Sequence, residues 1–268
     1  MEDKTRQQTC RKAAAVTKIC GIGTVEAAEA AVSAGADIIG MIFAPSPRLI
    51  DMDRAKTVAQ AVRAAGARDT ITTETSIPSL SVDLEERMDN VEYFTECASR
   101  VIARRRELGR PLLAGVFQNQ DVAHIAAVAR AVPLDLVQLH GTEAPETARL
   151  IPVPVIKVFH VDDSFSVEAA ELRDSMLRRQ CHSLILLDTK VAGTAQQGGR
   201  GVQFDWSIAR RLADMGIPFL MAGGLTPDNV AQAVGVGRPW GVDVSSGIET
   251  NKTKDVAKIH AFVRNANS

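Results

Sequence analysis

Short β-branched and aliphatic runs recur along the chain, each followed by a polar or Gly-rich turn and then by apolar residues at helical spacing. The runs predict strands near 16–20, 38–43, 112–117, 135–139, 154–159, 183–188, 217–222 and 241–244. The stretches after them predict helices near 24–34, 51–65, 120–131, 142–150, 165–179, 204–214, 227–235 and 253–264. "VEAAEAAVSAGAD" shows the helical pattern with a glycine stop. In "TPDNVAQAVGVG" the predicted N-cap is Thr226, with Pro227 in the first turn. Eight strands alternating with eight helices imply a parallel sheet, and eight is the number that closes a (β/α)8 barrel. A doubly wound open sheet suits five or six such units better.

One interval breaks the rhythm. Between the strands starting at 38 and 112 the chain carries a surplus, placed at 66–110. Its first half is Thr/Ser-rich and reads as a flexible loop. Its second half, about 84–108, predicts an extra amphipathic helix with Val91, Phe94, Cys97, Val101 and Ile102 on one side. Following a helix and preceding a strand, this insertion belongs on the N-terminal face of the barrel, opposite the face that carries active sites in this fold. The domain reading is a polar tail over 1–15, expected to be disordered, then one barrel over 16–268 with the insertion between helix two and strand three.

Composition narrows the class. Hydrophobic residues make up 46% of the 268 but aromatic ones only 4%, so the core must be built from Ala, Val, Leu and Ile. A net charge of −1 offers no footprint for nucleic acid or an anionic membrane. No apolar run approaches the roughly 18 residues that span a bilayer, and the first residues are polar where a secretory signal would be apolar. The cysteines at 10, 20, 97 and 181 show no metal-ligand spacing. The expectation is a cytoplasmic protein with reduced thiols and no metal.

Candidate chemistry collects at the strand ends, which converge on one pocket in such a barrel. Strand one closes with Lys18, Cys20 and Gly21, and Arg48 follows strand two. Strand four ends with Gln138 and His140, and strand six with Asp188. Lys18 and Cys20 share a strand face, so the ammonium is expected to favour the thiolate. An unpaired cysteine is more often a small core residue, and it is the company of the other strand ends that makes this one a candidate. "GGLTPDN" after strand seven (Gly223, Gly224) and "SSG" after strand eight (Ser246, Gly247) suggest a phosphate site, since their glycines let backbone N–H groups approach an anion.

"KICG", "SPR", "VQLHG", "LLDTKVAG…GGRGVQFDW", "AGGLTPDNV" and "GVDVSSGIE" occur in the order found in phosphoribosylanthranilate isomerases of tryptophan biosynthesis, and the chain resembles that family over about 16–265 outside the insertion. The insertion makes it similar to the longer fungal forms. The resemblance implies a TIM barrel that performs an Amadori rearrangement of N-(5-phosphoribosyl)anthranilate without metal or cofactor. It implies Cys20 as general base, Asp188 as general acid and Arg48 as holder of the anthranilate carboxylate. Gly223, Gly224, Ser246 and Gly247 would lie at the phosphate, with Asp243 a polar contact beside them. Lys18, Gln138 and His140 complete the expected substrate-binding set. The implied partner is the small phosphosugar–anthranilate substrate, for a monomer or homodimer. Two rival readings are another phosphosugar isomerase on the same barrel, which would favour an Asp/Asp pair and a second phosphate site, and a catalytically silent barrel that binds partners through the insertion.

Overall fold

Eight parallel strands close on themselves: β1 (Val16–Cys20), β2 (Ile38–Ile42), β3 (Leu112–Phe117), β4 (Leu136–Leu139), β5 (Val155–Val161), β6 (Leu184–Thr189), β7 (Phe219–Met221) and β8 (Gly241–Val244). The seam pairs β1 with β8, Lys18 lying opposite Asp243. In this computed structural model the described residues are 14–66, 87–162, 165–166, 169–189 and 205–268. The expected disordered tail, the polar loop of the insertion and the "KVAG…GGRG" stretch therefore fall largely outside them.

Side chains alternate across each strand, and the alternation produces two cores. Outward residues such as Ile19, Met41, Phe117, Leu139, Ile185 and Phe219 pack against the helices. Those helices are α1 (Val25–Ala34), α2 (Met52–Ala64), α4 (Val122–Ala131), α5 (Ala170–Met176), α6 (Trp206–Asp214), α7 (Val230–Gly237) and α8 (Val256–Ala266). Inward residues Val16, Ile38, Leu112, Leu136, Ile156, Leu184 and Leu220 fill the barrel interior.

The insertion supplies α3 (Asn90–Leu108), started by an Asp89/Glu92 capping box and stopped by Gly109 in the left-handed region. Its Ala98 and Val101 join the interior cluster, so the helix closes the barrel's N-terminal end. Tyr93 donates to the His182 carbonyl before β6 (3.3 Å), Arg105 pairs with Asp37 before β2 (3.1 Å), and the Phe94 ring lies against the His182 ring. This is the face expected from the sequence. The buried stripe is Tyr93, Phe94, Cys97, Ala98 and Val101, whereas Val91, in the first turn beside Gly216, stays 37% exposed.

One local expectation needs correction and another needs refining. The helix expected over 142–150 is a 3-10 turn, Pro145–Leu150, with no side-chain cap, and Pro152 follows two residues beyond it. Thr226 caps the turn that leads into α7, its Oγ1 accepting from the Asp228 N–H (3.3 Å) and its carbonyl from the Val230 N–H (3.1 Å). The regular helix starts one turn later with Asn229 as its N-cap residue, and Asn229 Oδ1 accepts from the Thr226 N–H (2.8 Å).

Candidate active site

Along the inward face the strands change from apolar to polar toward their C-terminal ends. There the loops surround a cleft that is open to solvent. Cys20, Arg48, Gln138, His140, Asp188, Gly223, Gly224, Asp243, Ser246 and Gly247 all line it. Among the residues expected at the site, Lys18 alone does not.

Lys18 is fully buried, one layer deeper, with Nζ 3.0 Å from Asp243 Oδ1 across the barrel seam. Its side chain lies beneath the cleft and does not line it. Burial by itself would lower its pKa, but Asp243 and the neighbouring Cys20 sulfur outweigh that and raise it. Lys18 does favour the Cys20 thiolate, as expected, but it does not decide the balance. Burial raises the Cys20 pKa above its ordinary 9.0, Lys18 pulls it down, and Asp243 pushes it up, with a net rise. Because Lys18 is already neutralised by Asp243, it cannot ionise the thiol unaided. Gly40 makes room for this group: a Cβ there would sit 2.8 Å from Cys20 Sγ and 3.2 Å from Lys18 Nζ.

Asp188, next to last in β6, also lines the cleft. It is buried, and Oδ1 accepts from the Thr189 N–H at 2.8 Å. Its Oδ2 lies 3.3 Å from His140 Nε2, close enough for electrostatic contact though not aligned as a hydrogen bond. The Gln138 amide meets His140 Nδ1 at 2.8 Å, and His160 Nε2 meets the His140 carbonyl at 3.1 Å. Burial and the facing His140 lower the His160 pKa, which keeps that ring neutral. His140, His160 and Asp188 each offer one ligand atom within 4.8 Å of the others, so this corner has the donors to hold a cation.

Arg48 reaches across the loops after β1 and β8. Its Nε and Nη2 donate to Glu249 Oε1 (2.6 Å) and Oε2 (2.8 Å). Lys254 Nζ donates to the same Oε1 and to the Ser245 carbonyl, both at 2.8 Å. Burial would raise the Glu249 carboxyl, but the bonds from Arg48 and Lys254 hold it at about 2. Glu249 and Lys254 face each other on a small hairpin, β9 (Glu249–Thr250) and β10 (Thr253–Lys254), turned by Asn251 and Lys252 at positive φ. The sequence reading assigned neither residue a role. The available signal was the polar "ETNKTK", whose two-residue turn places the acid opposite the lysine.

The glycine loops fit together tightly. Gly223 has φ +84°, and a Cβ there would lie 2.1 Å from Thr189 Oγ1. One on Gly247 would lie 1.9 Å from the Leu225 carbonyl oxygen. Only glycine allows such approach of two loops that both face the cleft.

Residues 83–265 match the family described as N-(5'phosphoribosyl)anthranilate (PRA) isomerase. An N-(5'-phosphoribosyl)anthranilate isomerase of Roseiflexus sp. (strain RS-1) is 42% identical, covering 92% of this chain and 94% of that protein. A multifunctional tryptophan biosynthesis protein of Phycomyces blakesleeanus is also 42% identical, over 94% of this chain, which spans only 32% of that relative's length. A solved phosphoribosyl anthranilate isomerase, in complex with reduced 1-(o-carboxyphenylamino)-1-deoxyribulose 5-phosphate, superposes with a TM-score of 0.64 at 29% identity. The match covers 94% of this chain and 98% of that one.

Proposed function

The chain belongs to the N-(5'-phosphoribosyl)anthranilate isomerase family, and on that premise we propose that it converts N-(5-phosphoribosyl)anthranilate into 1-(2-carboxyphenylamino)-1-deoxyribulose 5-phosphate, a step of L-tryptophan biosynthesis. One observation carries the reading. Cys20 from β1 and Asp188 from β6 face a single cleft, bounded by the Arg48 loop and by the two glycine loops.

In the assigned roles Asp188 gives its proton to the ribose ring oxygen as the C1–O bond breaks, leaving an open-chain iminium. The Cys20 thiolate then takes the C2 proton. The C–H electrons form the C1=C2 bond, the iminium π electrons return to nitrogen, and the enolamine tautomerises to the ketone. The high thiol pKa of the free protein suits this order of events. A cation developing beside the sulfur favours the thiolate, so the thiol gives up its own proton to solvent in the open cleft as the iminium forms and is then free to take the C2 proton. Arg48 takes the anthranilate carboxylate, and the loops holding Gly223, Gly224, Ser246 and Gly247 take the phosphate, beside Asp243. Gln138 and His140 line the acid's side of the cleft.

The test follows anthranilate fluorescence during turnover. Cys20→Ser and Asp188→Asn should each lower kcat by roughly 10²–10⁴-fold while binding of the reduced product analogue persists. Retention of most of the wild-type kcat in either variant, with chemistry rate-limiting, would remove that residue from its role.

A further inference from the structure

We infer that Glu249 is a positioning residue for carboxylate recognition: it fixes the plane of the Arg48 guanidinium so that the outer edge of the fork is presented to the cleft. This rests on the proposed role of Arg48.

A guanidinium carries five N–H donors in one plane. Glu249 takes the Nε donor and one Nη2 donor in a side-on fork, which leaves both Nη1 donors and the second Nη2 donor on the remaining edges. Two parallel donors on the end-on edge match a second carboxylate. The aliphatic part of Arg48 passes over Gly21, where a Cβ would sit 2.9 Å from Arg48 Cδ. Gly21 has φ +75°, so the strand-one turn is shaped to admit that side chain.

A carboxylate beside an arginine also cancels its attraction for an anion, and Lys254 restores it. Its Nζ bonds Glu249 Oε1, the Ser245 carbonyl and, at 3.4 Å, Ser245 Oγ, so its three donors are occupied. The trio keeps one net positive charge, and Arg48 is its member with donors left for a ligand. Glu249 thus supplies orientation, and Lys254 compensates its charge.

The experiment compares two probes, the reduced product analogue and the same compound lacking the ring carboxyl, by titration calorimetry. Glu249→Gln should weaken the carboxyl-bearing probe by roughly tenfold, leave the other within about twofold, and raise KM with little change in kcat. Glu249→Asp should recover part of the loss, and in an Arg48→Ala background Glu249→Gln should add nothing. If Glu249→Gln does not fold, Glu249→Asp alone should show a smaller loss confined to the carboxyl-bearing probe. Unchanged or tighter binding of that probe in the folded variant, with Arg48→Ala still weakening it selectively, would overturn the role of Glu249 alone. Absence of a carboxyl-selective loss in Arg48→Ala would instead overturn the reading on which it rests.

Discussion

The thiol of Cys20 should be almost wholly protonated in the ligand-free protein. Burial and Asp243 together outweigh Lys18 and lift its pKa above 9.0. A thiol raised above the ordinary range is almost wholly protonated at neutral pH, and its thiolate fraction grows about tenfold for each unit of pH, 1.36 kcal/mol apiece. Iodoacetamide labelling, resolved by mass spectrometry because Cys97 and Cys181 are also buried free thiols, should therefore rise about tenfold per pH unit from 7 to 9 without a plateau. The perturbation is Asp243→Asn. The amide oxygen can still accept from Lys18 Nζ, but the anion is gone and the ammonium is left to act on the sulfur. At an effective dielectric near 20 a unit charge a few ångströms away is worth roughly 2–4 kcal/mol. Labelling at pH 7 should accelerate by at least about tenfold. A wild-type plateau below pH 8, or an Asp243→Asn variant that labels no faster, would refute the electrostatic account of this site.

Two further outcomes follow from the packing. His182 is sealed under α3 with its pKa lowered to about 4 from 6.5, burial being the cause; the unfolded chain takes up this proton first, so stability present above pH 6.5 should fall by roughly 3 kcal/mol as pH drops toward 4, and urea unfolding of His182→Asn should show a correspondingly shallower slope there. Gly40→Ala places a methyl 2.8 Å from Cys20 Sγ, so kcat should drop at least tenfold while KM moves little, and unaltered kcat would mean that the thiol can shift freely.

Most of the architecture was legible because each strand is a short apolar run of its own, bounded by polar or Gly-rich turns. Short β-branched and aliphatic runs located all eight strands, and the polar residues ending them (Cys20, Gln138, His140, Asp188) reach the cleft. What stayed hidden depends on partners brought together by closure. Lys18 was expected to act on Cys20, but its partner Asp243 lies 225 residues away on the last strand, and no local pattern announces that pairing. Glu249 and Lys254 read as an ordinary polar turn until β1, β2 and β8 bring Arg48 against them. Thr226 caps the turn before α7 as its composition suggested, but Asn229 bonds back to that turn and the regular helix begins only at Val230.

The barrel seam has a consequence for the order in which a new chain becomes competent. Cys20 lies on the first strand, whereas Asp243, Glu249 and Lys254 arrive with the last strand and the hairpin after it. During synthesis the thiol emerges early, as an ordinary and more reactive cysteine, and waits through more than two hundred residues before Asp243 reaches it. Only docking of β8 on β1 buries Lys18 against its carboxylate and mutes the sulfur. Alkylation of Cys20 at neutral pH is therefore a clock for ring closure: a stalled, truncated or misassembled chain keeps the fast-reacting thiol, and a finished one does not.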